Sequence, residues 1–118
     1  MTKKILVVDD DIAAQKILQA FLVSKGFEVE TAADGLAGLE KMRQARPDLV
    51  VLDVMMPRMD GYGFVLEMKK DAKFRNVPVI VLTAREMMRD VFMQEGIKDY
   101  VVKPYDPEEL LKILLKYF

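Results

Sequence analysis

Several aspartates of this chain lie at the ends of predicted strands, where a fold of parallel strands would bring them into one site. Residues 48–61 read DLVVLDVMMPRMDG, so four apolar residues run directly into Asp53. Such a short, valine-rich run between polar and turn residues is typical of a strand buried on both faces of a parallel sheet. Ligands bind at the carboxyl ends of the strands in open parallel sheets, and we therefore take Asp53 as the chemical centre.

Polar residues also lie at the carboxyl ends of three other predicted strands. Asp9 and Asp10 lie at the end of the first, Thr83 at the end of the fourth and Lys103 at the end of the fifth. Carboxylates that crowd together resist ionisation, so two or three in one pocket imply a hard divalent cation, of which Mg²⁺ fits best. A lysine and a hydroxyl beside a metal-bound carboxylate are the groups that phosphoryl transfer needs. In that chemistry Asp53 would be the nucleophile.

Each of these residues also has a purely structural interpretation. Residues 9–11 suit a solvated turn and helix cap, Thr83 suits the end of a strand, and Lys103 before Pro104 suits the end of an element. Their common position favours function, because all of them fall at strand carboxyl ends and both signs of charge are present.

Composition narrows the classes of protein. The 118 residues suffice for a single domain, residues 1–118, and 52% hydrophobic with 31% charged residues fits a soluble globular protein. Neither a membrane-spanning run nor a signal peptide is apparent, so we expect a cytoplasmic location and no membrane partner. Without cysteine or histidine, any metal site must use oxygen ligands. With 18 basic and 19 acidic residues, we expect no direct contact with nucleic acid.

Strand-like and helix-like segments alternate along the chain. Strands are predicted at residues 4–9, 28–31, 49–52, 79–82 and 99–102. Residues 28–31 alternate polar and apolar side chains, which places this strand at a sheet edge. Right-handed crossovers then give a flavodoxin-like three-layer α/β sandwich with a five-stranded parallel sheet of order 2-1-3-4-5 and five helices.

Apolar residues at helical spacing predict which side of each helix is buried. For the first three helices these residues are Ala14, Ile17, Leu18, Phe21 and Leu22, then Leu36, Leu39, Met42 and Ala45, then Phe64, Val65 and Met68. For the fourth, predicted over residues 85–95, they are Met87, Met88, Val91 and Phe92. The first helix should stop at Gly26 and the second before Pro47, while Asp106 and Pro107 should begin the last.

Four motifs occur in a fixed order: VVDD near the start, LDVMMPRMDG, LTA, and YVVKP. Together they resemble the receiver domain of two-component response regulators, in particular stand-alone receivers of the chemotaxis-regulator type, and the match spans the whole chain. The resemblance implies that Asp53 is the phosphoacceptor. It also implies that Asp9 and Asp10 hold Mg²⁺ together with Asp53, and that the backbone carbonyl of Met55 is a further ligand.

The resemblance assigns the remaining site residues as well. Thr83 would contact the phosphoryl group, and Lys103 would supply the counter-charge before a cis peptide bond to Pro104. Tyr100 would be the aromatic residue whose position follows phosphorylation. The chain would then be a switch that catalyses only its own phosphorylation and dephosphorylation. Its partners would be a histidine kinase or phosphotransfer protein and a downstream target or output domain, and it would be a monomer or a phosphorylation-dependent dimer.

Two alternatives and one departure stand beside this interpretation. Residues 9–11 also fit the opening of haloacid dehalogenase-like phosphatases, but Ala13 stands where that family usually has Thr or Val, and Asp53 would be unexplained. Turnover of phosphate esters would identify such an enzyme. A receiver-like interaction module that works without phosphorylation is the second alternative.

The departure is in the segment of residues 83–96, which is about two residues shorter than the family pattern. Loop length at this place limits how far a neighbouring element can move.

Overall fold

Strands and helices alternate along the part of the chain that this computed structural model describes, which is residues 2–54, 56, 59–84 and 89–118. The elements are β1 (Lys4–Val8), α1 (Ile12–Ser24), β2 (Glu28–Ala32), α2 (Gly35–Ala45), β3 (Leu49–Leu52), α3 (Gly61–Lys70), β4 (Val79–Thr83), α4 (Arg89–Gln94), β5 (Asp99–Val102) and α5 (Pro107–Leu115). No helix built from these residues combines the length and apolar character needed to span a membrane.

The five strands form one parallel sheet of order β2-β1-β3-β4-β5, and the predicted fold is confirmed. Val8 lies opposite Leu52, so β1 and β3 end at the same level and the residues that follow them start side by side. In the neighbouring pair β4 and β5, Thr83 lies opposite Val102, so these two strands also end at the same level. Strand register therefore brings the four predicted site segments together at the carboxyl ends of the strands, which we call the carboxyl edge of the sheet.

Two apolar layers cover the sheet. On one face, α2, α3 and α4 pack against alternate strand residues that include Leu6 and Val50. On the other face, α1 and α5 pack against the intervening residues, among them Ile5 and Val51. Because both faces are covered, the inner strands are continuous apolar runs, as the sequence pattern predicted.

Two predicted core residues are wrong. Ile17 is 69% exposed and Leu36 is 45% exposed. In α1 the buried positions are Gln15, Leu18 and Leu22, and Ile17 lies about 100° around the helix from Leu18. In α2 the buried positions include Gly35 and Gly38 rather than Leu36. A β-carbon at Gly35 would collide with the Met59 backbone, and one at Gly38 would be in tight contact with the Phe64 ring. The helix can then approach Met59 and Phe64 closely.

Most predicted boundaries agree with the structure. β3 and β5 have the predicted bounds, whereas β1 ends one residue earlier and β2 and β4 extend one residue further. Gly26 follows α1 with φ +97°, as expected for a residue after a helix end, and α2 ends before Pro47 with Arg46 in the left-handed region. For the fourth helix, residues 89–94 are helical, while Met87 and Met88 lie outside the described residues.

Candidate functional site

Three carboxylates meet at the carboxyl edge of the sheet. Oxygen atoms of Asp9, Asp10 and Asp53 all lie within 4.8 Å of one another. Asp9 is buried, Asp53 is half-buried and Asp10 is exposed, so the group opens to solvent on one side. The register of β1 with β3 brings them together, because each strand is followed directly by its aspartate.

The backbone at Asp9 is held in place by a residue that the sequence patterns did not predict. Gln15 is buried, and its Nε2 donates to the backbone oxygens of Asp9 at 3.1 Å and Ala32 at 3.0 Å. The Asp9 N–H also donates to the Ala32 oxygen at 3.0 Å. A glutamine three residues before Leu18, on the apolar side of a helix, was the available signal. Gln15 positions the metal-binding candidate without touching the reacting atoms.

Asp53 is fixed through both its backbone and its side chain. Its N–H donates to the Val8 oxygen at 2.9 Å, and its Oδ1 accepts from the Val54 N–H at 2.7 Å. Lys103 reaches the same site from the end of β5. Its Nζ lies 3.1 Å from Asp9 Oδ2 and 3.8 Å from Asp53 Oδ2. Lys103 is followed by a cis bond to Pro104, as the resemblance implied.

The site disfavours ionisation of its central acid. Burial raises the pKa of Asp53 above 3.8, and the charges of Asp9 and Asp10 raise it further, against the opposing effects of Lys103 and the Val54 N–H. Burial by itself lowers the pKa of Lys103, but the nearby Asp53 and Asp9 outweigh it and raise the pKa above 10.5. The lysine therefore stays protonated, as a single cation beside three carboxyl groups.

Oxygen ligands for a divalent cation are assembled here. Asp9, Asp10 and Asp53 offer carboxylate oxygens alone, which suits a hard ion such as Mg²⁺. Such an ion would offset the charges of Asp9 and Asp10, which add to burial in raising the pKa of Asp53. Met55, whose backbone carbonyl was the predicted further ligand, lies outside the described residues.

The segment after Asp53 turns back tightly on the strand. The Gly61 N–H donates to the Val54 oxygen at 2.8 Å. A β-carbon at Gly61 would lie 2.6 Å from the backbone oxygen of Asp53 and 2.9 Å from the Val54 α-carbon. Only glycine allows the two backbone segments to come this close. Asp60 then caps α3 by accepting from the Gly63 N–H at 2.8 Å. The MDG part of the motif thus shapes the backbone beside the candidate nucleophile.

Thr83 and Tyr100 occupy neighbouring strands of the same half of the sheet. Thr83 is fully buried at the end of β4. Tyr100 is buried in β5 with its ring 6.0 Å from that of Phe92, and the Arg89 guanidinium lies 5.0 Å from the Tyr100 ring centre. Tyr62, which the sequence patterns did not single out, continues this cluster with its ring 5.7 Å from Phe92. An aromatic chain therefore links β5, α4 and the start of α3.

Comparison of the sequence and the structure with known proteins agrees with this fold and this site. The response regulator receiver domain family matches residues 5–115. The chain belongs to the response regulator receiver domain family. The predicted resemblance is confirmed, and the family is that of phosphorylation-activated signalling switches. The phosphatase and phosphorylation-independent alternatives are not favoured.

Individual relatives agree with this assignment. The chain is 48% identical over 110 residues to the probable transcriptional regulator ycf27 of Cyanophora paradoxa, a match that covers 92% of this chain and 45% of that protein. It therefore spans less than half the length of that relative. The structure of chemotaxis protein CheY4 from Vibrio cholerae is similar with a TM-score of 0.93 and 35% identity, over 100% of both chains.

A third relative contains a metal. The receiver domain of a sensor histidine kinase from Pseudomonas aeruginosa is similar with a TM-score of 0.90 and 33% identity, over 99% of this chain and 98% of that one. In that structure a magnesium ion is coordinated in the active-site cleft.

Proposed function

We propose that Asp53 accepts a phosphoryl group and that Asp9, Asp10, Asp53 and the Met55 carbonyl hold Mg²⁺ for this reaction. The observation that carries the proposal is the meeting of three carboxylates within 4.8 Å, with the Lys103 Nζ 3.1 Å from Asp9 and 3.8 Å from Asp53. The magnesium ion in the cleft of the Pseudomonas receiver domain supports the choice of metal. When bound, Mg²⁺ supplies positive charge to the phosphoryl oxygens.

The two oxygens of Asp53 have different surroundings, which suggests their roles. Oδ1 accepts the Val54 N–H, whereas Oδ2 faces Lys103. We assign Oδ2 as the attacking oxygen. The new bond joins Oδ2 to phosphorus while the bond from phosphorus to the donor's nitrogen breaks, and the leaving nitrogen keeps that electron pair. The protonated Lys103 then pairs with the phosphoryl oxygens and offsets the added charge.

Thr83 and Tyr100 would convert this local event into a change of surface. A phosphoryl group brings charge and acceptor oxygens to the end of β3, where the Thr83 hydroxyl on neighbouring β4 can donate to it. Movement of Thr83 would alter the space next to Tyr100, whose ring packs on Phe92 of α4. The surface formed by α4, β5 and α5 is therefore the proposed output face.

Partners follow from the chemistry and remain proposals. The donor would be a histidine kinase or a phosphotransfer protein, and the chain would act on its own aspartyl phosphate rather than turn over a separate substrate. A downstream protein or an output domain would recognise the output face, in a monomer or a phosphorylation-dependent dimer in the cytoplasm. Since ycf27 relatives are probable transcriptional regulators and this chain matches 45% of that length, any nucleic-acid contact is assigned to such an output partner.

Intact mass spectrometry tests the phosphoacceptor. Incubation with acetyl phosphate and Mg²⁺ should add the mass of one phosphoryl group to the wild type. Asp53→Asn should add none, and a chelator should prevent the reaction. A persistent adduct on Asp53→Asn would contradict the assignment. Absence of an adduct on the folded wild type would favour an interaction module, and turnover of phosphate esters would favour a phosphatase.

Amide chemical shifts test the switch. Beryllofluoride, a phosphoryl mimic, should shift amides around Asp53 and also along α4 and β5. Thr83→Ala should retain the changes near Asp53 and lose those near Tyr100, because its hydroxyl is the proposed link. Shifts confined to the surroundings of Asp53 in the wild type would contradict the proposed output face.

A further inference from the structure

The opposite edge of the sheet, where the strands begin, holds a pocket lined partly by cations. It has a volume of about 350 Å³ and lies between the connection from α3 to β4, the turn from α4 to β5, and Tyr117 near the end of the chain. Its apolar surface includes Pro78 and Ile97, and its polar surface includes three cations, Lys69, Arg75 and Lys98. Its volume is within the range of small-molecule sites.

Within the described residues, the three cations that line this pocket are not paired with carboxylates. Among residues 2–54, 56, 59–84 and 89–118, no carboxylate forms an ion pair with Lys69, Arg75 or Lys98. Asp99, at the start of β5, is already engaged, since the Tyr117 hydroxyl donates to its Oδ2 and the Lys116 Nζ lies 3.3 Å from its Oδ1. The pocket therefore concentrates positive charge in a protein whose net charge is −1.

Two of these cations are held in position. The Arg75 Nε donates to the backbone oxygen of Lys69 at 3.3 Å, which orients the guanidinium and leaves its two terminal nitrogens as donors. The half-buried Lys69 places its Nζ 3.5 Å from where a Gly96 β-carbon would be, against the turn from α4 to β5. Ordinary surface lysines would extend into solvent, as Lys70 does with its side chain 71% exposed.

We propose that this pocket binds a small organic phosphate, such as a mononucleotide. The phosphate would lie among Lys69, Arg75 and Lys98, because a guanidinium and ammonium groups are the side chains that best bind phosphate oxygens. The planar or apolar part of the ligand would rest on Pro78, Ile97 and the Tyr117 ring. A concave pocket with three cations favours a small ligand over a nucleic-acid strand, which needs a long basic stripe.

This site is independent of the proposed phosphorylation of Asp53. Val79 begins β4 at this edge and Thr83 ends it at the other, so the two edges are separated by about 13 Å of extended strand. A ligand among Lys69, Arg75 and Lys98 cannot reach Asp53. It would instead contact Gly96 and Ile97, in the turn between α4 and β5.

Titration of ¹⁵N-labelled protein with adenosine 5′-monophosphate tests the proposal. Amides of residues 75–79 and 96–98 should shift in a saturable way. Arg75→Gln and Lys98→Gln should each weaken binding at least about tenfold, since each removes a charge-assisted hydrogen bond. Lys70→Gln is the matched control, because it removes the same charge from the adjacent position of α3, where Lys70 pairs with Glu67 at 2.9 Å outside the pocket. It should bind like the wild type.

Other outcomes would overturn the proposal. These are unchanged amides around the pocket, equal weakening by Lys70→Gln, or binding of adenosine as tight as that of its monophosphate. Stronger binding of a short DNA duplex, weakened equally by Lys73→Gln and Arg75→Gln, would assign this edge to nucleic acid. If Arg75→Gln alters the whole spectrum, the folded Lys98→Gln variant decides. Asp53→Asn should bind the monophosphate unchanged, so failure of either proposal leaves the other intact.

Discussion

The two edges of the sheet hold opposite charge for different reasons. At the carboxyl edge, strand register forces Asp9, Asp10 and Asp53 within 4.8 Å of one another, and Lys103 is their counter-charge. At the amino edge, Lys69 near the end of α3 and Lys98 in the turn before β5 line a pocket that forms where these segments pack together. Like charges gathered by register oppose folding, whereas an exposed cation such as Lys98 remains solvated and costs little.

A charge at the carboxyl edge should therefore affect stability and function together, whereas a charge at the amino edge should not. Neutralising one charge at the carboxyl edge should change both stability and reactivity, since Asp53 interacts there with Lys103, Asp9 and Asp10. Neutralising one at the amino edge should change ligand binding and little else.

Lys103 and Lys98 flank the two ends of β5. Lys103→Ala should slow phosphorylation of Asp53 by acetyl phosphate about 10²- to 10³-fold, the usual effect of removing one group that stabilises transition-state charge. Lys98→Ala should leave the rate unchanged. Quenched reactions analysed by intact mass give both rates, and urea denaturation checks that each variant is folded. Equal rates for Lys103→Ala and the wild type would remove Lys103 from the mechanism.

Gln15 and Gln19 are successive glutamines of α1 with unequal hydrogen bonds. Gln15→Leu should lower the free energy of unfolding by about 1–3 kcal/mol, because the buried Asp9 oxygen loses its donor. Gln19→Leu should cost less, since Gln19 is half-buried and its hydrogen bonds, to the Val29 oxygen and from the Lys16 Nζ, are both long at 3.4 Å. Denaturant unfolding measures both values. A larger loss in Gln19→Leu would show that Gln15 does not anchor the site.

Asp53→Asn should stabilise the metal-free protein at neutral pH. Burial and then its acidic neighbours raise the folded-state pKa of Asp53 above 3.8, so the native state holds its proton more tightly than the unfolded state does. The wild type therefore loses stability as pH rises from 3.8 through the folded-state pKa. Below that window both states are protonated and the advantage of Asp53→Asn should vanish. Urea denaturation across pH with a chelator present measures this, and a pH-independent difference would contradict it.

Asp10→Asn should produce the smallest effect on stability, because Asp10 is exposed. It should slightly raise the melting temperature without metal and weaken Mg²⁺ binding about tenfold or more, since the same charge repels its neighbours and attracts the ion. Asp48→Asn, at the amino edge where Asp48 accepts the Lys4 N–H at 2.8 Å, should leave the response to Mg²⁺ unchanged. A wild-type melting temperature that does not change when Mg²⁺ is added would contradict the metal site.

Much of the fold was predictable because strong local signals agreed with it. Continuous apolar runs identified the inner strands, and Gly26, Pro47 and Pro107 marked helix ends through their backbone preferences. The errors at Ile17 and Leu36 have a shared cause. Apolar spacing does not show which side of a helix faces the sheet when glutamine or glycine occupies the packed positions.

The sequence by itself determined the order of elements and the chemistry available at each strand end: Asp9, Asp10, Asp53, Thr83 and Lys103. Tertiary structure alone decided the distances between them, because strand register is a property of pairs of strands far apart in the chain. It also decided that Gln15 faces inward to hold Asp9, and that Tyr62 joins Phe92 and Tyr100. The positive pocket at the amino edge has the same origin, since Lys69, Arg75 and Lys98 meet only when α3, β4 and β5 are packed together.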